Sequence, residues 1–302
     1  MDILSRVLKN GVSRRSFLTG VGASAGTAAA LTFAAGCGSS SPSFPSQPVP
    51  TPPAIITDND ILNFALNLEY LEAEYYLRAA TGTGLTAADI GTNPGAVTGG
   101  AQVTFATPSV QEYALEIAND ELLHVRFLRS ALGAAAVDRP AIDLTNSFNA
   151  AAAAAGIGPA FNPFADENSF IVGAFTFEDV GVTAYHGAAT LLSSKTILTA
   201  AAGILSTEAY HAGEIRTLLA YLGAPYLTYA NQISALRAAA GGGAETAVSS
   251  STIVAADANS IAFDRTTSEV LHIVYLSAAA GVVSSGGFFP NGLNGTIKAT
   301  AS

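Results

Sequence analysis

Glu121-Leu122-Leu123-His124 and Glu208-Ala209-Tyr210-His211 decide the reading of this chain. In each, a carboxylate and an imidazole stand three residues apart, so on a helix they share one face. Two glutamates lie upstream of these pairs, each followed seven residues later by a tyrosine: Glu69 with Tyr76, and Glu178 with Tyr185. Seven residues turn a helix through about 700°, roughly 20° short of two turns, so each Glu shares a face with its Tyr. The order along the chain is Glu, Glu-x-x-His, Glu, Glu-x-x-His. A carboxylate-bridged di-iron or di-manganese centre in a four-helix bundle takes this ligand set, one Glu from each of two helices and one Glu-x-x-His from each of the other two. The expected ligands of two Fe or Mn ions are therefore Glu69, Glu121, His124, Glu178, Glu208 and His211. Tyr76 and Tyr185 are expected to hydrogen-bond ligand carboxylates from behind. Glu72, one turn from Glu69, is expected on a solvated position or behind the ligands, from where its carboxylate could swing in.

The spacing alone is weak. Three of the four histidines have a Glu three residues before them, the third being Glu269 with His272. Such a pair is often a solvated helix face. Glu269 and His272 have no upstream Glu/Tyr helix to complete them and are left out of the site. The four-part order carries more weight, because burying four carboxylates requires compensating charge, which two divalent cations supply. Glu74, Glu112, Glu116 and Glu214 are expected on solvated positions or behind the ligands. His186 is read as a packed or surface residue.

The composition fits. Apolar residues make up 49% of 302 and charged residues 12%, which allows a large core. The formal charge is −10, and residues 1–36 contribute a net of +3. The remaining body is acidic, which disfavours nucleic acid as a partner and suits metal cations. Cys37 is the only cysteine, so no intrachain disulfide forms. The sequence shows no nucleophile elbow, P-loop, dinucleotide fingerprint or zinc finger.

Residues 1–36 read as an address. Ser13-Arg14-Arg15-Ser16-Phe17-Leu18 precedes a weakly apolar run from Gly20 to Gly36, in the pattern of a twin-arginine export signal. As a membrane span the run is short and poorly hydrophobic. Phe33-Ala34-Ala35-Gly36-Cys37 resembles a lipoprotein processing site, which makes Cys37 the expected lipidation residue. Plain cleavage near Ala28-Ala29-Ala30 is the alternative. Residues 37–55, rich in Ser and Pro, read as a tether. The expected location is the periplasm or cell surface, with membrane contact only through the lipid at Cys37. The twin-arginine route carries folded proteins, so a metal chosen in the cytoplasm could be exported in place.

The body, 56–225, is expected to be an all-α four-helix bundle. Its helices are expected at about 58–80, 108–132, 166–194 and 196–222. A long crossover, 134–164, joins the two hairpins. Residues 226–302 are expected as a less regular extension packed on the bundle, with a Gly/Ala/Ser-rich loop at 238–252 and one further helix near 266–279.

At these residues the chain resembles the ferritin-like superfamily. Within it, the chain resembles the bacterial and plant branch that includes the desiccation-related proteins. The likeness lies in the first helix, Leu62 to Tyr76, in Phe263-Asp264-Arg265-Thr266-Thr267 with Glu269-Val270-Leu271, and in Gly287-Phe288-Phe289-Pro290-Asn291-Gly292-Leu293-Asn294-Gly295. The resemblance implies the fold and the metal site; it says less about activity, since fold does not set function. Three functions remain open. The first is an oxidoreductase acting on O2 or H2O2, ferroxidase-like or catalase-like. The second is a non-catalytic bundle protecting against drying or stress, and the third is a metal-binding module. The oligomeric state is open, although a storage cage does not suit a tethered protein.

Overall fold

The computed structural model describes residues 56–302 except 244, 279, 280 and 302. The expected export signal and tether, with Cys37, lie outside the described residues. Helix α1 spans Asp58–Thr81. Thr57 closes a capping box with Asp60, and Gly82 ends the helix in the left-handed conformation that glycine adopts at least cost. Every residue from Ile61 to Tyr76 is buried. A helix buried all round is the centre of its fold.

Helix α2, Pro108–Leu132, opens with proline in its first turn and ends at Gly133. It packs along α1 as a hairpin. Residues Val97–Thr98 (β1) pair in parallel with Ile142–Asp143 (β2), stitching the α1–α2 loop to the crossover. The crossover also contains a helix, α3, Asn146–Ala155, where the sequence reading expected only a connection. Its C-terminal half is the Ala150–Ala155 run, the strongest helix former available, and Gly156 caps it.

The third bundle helix is two pieces, α4 (Glu167–Phe175) and α5 (Glu178–Ala189), rather than one helix to residue 194. At the join the hydrogen bonds tighten to i→i−3: Thr176 N to Gly173 O, Phe177 N to Ala174 O, and Val180 N to Phe177 O. Mid-helix irregularity of this kind is frequent at functional sites. Helix α6, Lys195–Leu222, starts at the Ser194 cap and packs along α5 as the second hairpin.

The C-terminal region is more ordered than its composition suggests. Helix α7, Tyr226–Gly241, was not expected. It packs against α3, α4, α6 and α8, so its apolar residues do not keep to one face and the helical period is lost. Helix α8, Thr267–Val274, is capped by Thr266 and Glu269 and stops before residue 279. Beyond it Phe288 and Phe289 are buried, and Asn294 exchanges backbone-to-side-chain hydrogen bonds with Asn67 of α1. No helix among the described residues is long and apolar enough to cross a membrane.

Candidate metal centre

Four elements converge on one buried cluster. Glu69 comes from α1, Glu121 and His124 from α2, Glu178 from the first residue of α5, and Glu208 and His211 from α6. Glu69, Glu121 and Glu208 have no solvent exposure. His124 Nδ1 lies 3.2 Å from Glu69, 3.4 Å from Glu121 Oε2 and 3.6 Å from Glu208. His211 Nδ1 lies 3.0 Å from Glu121 Oε1 and 3.6 Å from Glu178. Glu121 thus presents one carboxylate oxygen to each histidine. Among the described residues, two ligand groups are close enough to hold an ion: Glu69, Glu121, His124 and Glu208, and Glu121, Glu178 and His211.

These atoms do not satisfy one another. Both oxygens of Glu121 and of Glu208, one oxygen each of Glu69 and Glu178, and Nδ1 of both histidines are buried without a hydrogen bond among the described residues. Unsatisfied buried polar atoms are costly. Their convergence from four elements, in a mixed carboxylate and imidazole set, fits Fe or Mn.

The tyrosines act across the bundle. Tyr76 donates its hydroxyl hydrogen to Glu178, and Tyr185 to Glu69. Both hold ligand carboxylates, as the shared helix faces imply, and each holds the glutamate of the other helix rather than the one seven residues before it. Asp120, which the sequence reading passed over, accepts from Nε2 of His211 at 3.3 Å. A carboxylate only accepts, so Nε2 carries the proton and Nδ1 faces the cluster as a potential ligand. The signal was present in the sequence, as the acidic residue beside Glu121.

Protons gather here when metal is absent. Burial works against charge on both histidines, but the facing carboxylates outweigh it, pushing His124 up to about 11 and His211 up to about 12. Burial and neighbouring negative charge raise Glu72 and Glu208 well above the ordinary carboxyl range. Glu121 is held low, because two histidines together outweigh its burial.

Glu72 is buried beside the cluster. Gly181 of α5 makes the room: a Cβ there would meet Glu208 Oε2 at 2.1 Å and Glu72 Oε1 at 3.4 Å. Glu74 is not a solvated residue. It is fully buried and paired with Arg78 and Arg139. Glu112 and Glu116 are exposed, and Glu214 is half-buried. His186 Nδ1 lies 3.1 Å from Phe263 O. Glu269 serves as the cap of α8, and His272 lies against Ser277 O. A polar mouth of about 280 Å³ between α2 and α6 reaches the cluster at His211, lined by Glu116, Asp120, Tyr210 and Glu214.

The fold and cluster define a four-helix bundle of the carboxylate metal-site class. Comparison with known proteins agrees: the ferritin-like domain model matches residues 57–221. The ferritin-like catalase Nec2 of Nesocodon mauritianus is 32% identical over 270 residues, covering 80% of this chain and 84% of that protein. The desiccation-related protein PCC13-62 of Craterostigma plantagineum is 30% identical over 266 residues, covering 79% and 83%. The chain belongs to the ferritin-like family.

Proposed function

We propose that this is an exported ferritin-like protein holding two Fe or Mn ions and disproportionating hydrogen peroxide. The observation that carries the proposal is Glu121, with one oxygen toward each histidine at the meeting of two ligand groups. The ions would be held by Glu69, His124 and Glu208 on one side and by Glu178 and His211 on the other, with Glu121 between them. When bound, such a pair supplies the redox steps that peroxide and dioxygen chemistry needs. Disproportionation balances without an outside reductant, as one peroxide is oxidised to O2 while another is reduced to water. The catalase name of one relative supports this over a ferroxidase role.

The chain's own groups do the rest. Tyr76 and Tyr185 hold Glu178 and Glu69 in place. Asp120 orients His211, and the polar mouth admits a small polar molecule. Glu72, buried and beside the cluster, is placed to hold a proton.

The test is metal analysis of the protein loaded separately with each metal, with peroxide consumption read as oxygen release. About two ions per chain and steady O2 evolution are expected, both lost on joint replacement of Glu121, His124, Glu208 and His211 by Ala. A wild type holding neither metal defeats the proposal. A loaded but inert protein favours the second reading, a stress-protective bundle with structural metals, which the desiccation-related relative supports.

Export by the twin-arginine route and lipidation at Cys37 rest on the sequence motifs. Arg14→Lys with Arg15→Lys should hold the precursor in the cytoplasm. Cys37→Ser should move the protein from the membrane fraction to the soluble one; continued membrane binding would refute the anchor.

A further inference from the structure

The metal cluster has a second neighbour, far more apolar than the mouth at His211. An apolar cavity lies among α1, α3, α7 and α8 and reaches the α4–α5 join. Its walls include Leu71, Phe148, Ala152, Phe177 and Ala240; its polar side chains are Glu72, Thr176 and Arg237, and the guanidinium nitrogens of Arg237 are already bonded to Glu245, Phe175 O and Asp179. The cavity shares no residue with the polar mouth.

Its inner wall is the wall of the cluster. Glu72 and Gly181 line the cavity, and the backbone of Gly181 also lies against the carboxylate of Glu208. With no side chain at residue 181, the backbone of Gly181 lines the cavity on one side and lies against the Glu208 carboxylate on the other.

Size and chemistry narrow the occupant. About 40 Å³ is free to the centre of a water-sized molecule. One water needs roughly 10–15 Å³ on that measure and two to four polar partners, so the space suffices but the walls do not suit water. Dry apolar cavities instead take xenon and small apolar molecules. The occupant is small, uncharged and apolar, and among the molecules of the proposed reaction only dioxygen fits. Peroxide, water and metal cations are polar and match the mouth at His211.

We propose that this cavity is a dioxygen site next to the metal cluster, and that the protein separates its traffic, with polar species on the α2–α6 side and dioxygen on the α1–α7 side. The role of the site rests on the peroxide reading, in which dioxygen is the product. Its existence as an apolar site does not.

Xenon pressurisation of crystals of the full-length protein tests the site directly. One xenon is expected in the cavity, and its absence would overturn the proposal. Ala152→Leu, and separately Ala240→Leu on a different helix, fill the cavity without touching a proposed ligand. Each should abolish the xenon peak and slow oxidation of the ferrous-loaded protein by O2. A single turnover of that protein with stoichiometric peroxide makes no dioxygen and should keep its rate. If both variants lose xenon but oxidise with O2 as fast as the wild type, the cavity is not the dioxygen route and the proposal fails. Xenon uptake by a protein that holds no metal keeps the apolar site and removes the peroxide reading instead.

Discussion

Gly181 shows how little space the cluster leaves. Glycine inside a helix costs about 0.5–1 kcal/mol relative to alanine, yet α5 carries one where a Cβ would lie 2.1 Å from a Glu208 oxygen. Gly181→Ala gains helix propensity and must displace Glu208. The expected outcome is a folded protein with weakened metal binding, read by competition with a chelator; unchanged affinity would show that Glu208 need not stay where it is. The crossed tyrosines predict asymmetry. Tyr76→Phe removes the hydrogen bond to Glu178 and should weaken mainly the ion at Glu178 and His211. Tyr185→Phe should weaken mainly the ion at Glu69 and His124. Losses of about 10–100-fold are typical when such supporting groups are removed. Metal titrations that resolve two binding steps check this, and equal losses at both steps in either variant would contradict it.

At the scale of elements, the C-terminal helices are fastened to the bundle by buried charge as well as by apolar packing. Asp179 of α5 pairs with Arg216 of α6 and Arg237 of α7, each at 2.8 Å. Glu245 pairs with Arg237 at 2.8 Å and with Arg265 at 2.6 Å. Arg237 also lies over the Phe175 ring at 4.4 Å. Breaking a buried pair by removing one partner costs about 3–5 kcal/mol, so Arg237→Ala should lower the urea midpoint markedly. Glu245 adds a pH signature. Burial works to raise its pKa, but Arg237 and Arg265 outweigh it and hold the carboxyl below its ordinary 4.5. A carboxyl whose pKa is lower folded than unfolded adds stability above the unfolded value and loses it as pH falls toward the folded one. Glu245→Gln should therefore destabilise the protein at neutral pH, and its gap from wild type should narrow once pH drops below about 4.5. Urea unfolding of both proteins across that range makes the comparison.

For the whole molecule, metal, protons and stability are linked. The metal-free cluster holds its histidines as imidazolium, with His124 pushed up to about 11 and His211 up to about 12. Imidazole binds metal only when deprotonated, so loading at neutral pH should release protons and apparent affinity should rise with pH. Calorimetric titration in buffers of different ionisation heat measures the release directly; zero release would mean that the histidines are neutral before metal binds or are not ligands. Because metal binds the folded state, it should also raise the melting temperature. The stabilisation is about 2.7 kcal/mol when free metal stands at 100 times its Kd.

Local features were legible in the chain because their causes are local. The starts of α1 and α2 follow from Thr57 and Pro108, and the ends of α1, α2 and α6 from the glycines at 82, 133 and 223. The Glu-x-x-His spacing put each carboxylate and imidazole on one helix face, so the ligand pattern was visible residue by residue. What tertiary structure decided is everything that depends on a second helix. It broke the third bundle helix at Thr176–Phe177, which starts α5 at Glu178. It hid α7, whose neighbours on several sides erase the single-faced pattern that marks a helix in sequence. It crossed the two tyrosines, buried Glu74 beside Arg139 and brought Asp120 to His211. No spacing within one helix encodes such pairings, because a side chain's partner across the bundle is set by packing, and packing sums contacts from residues far apart in the chain.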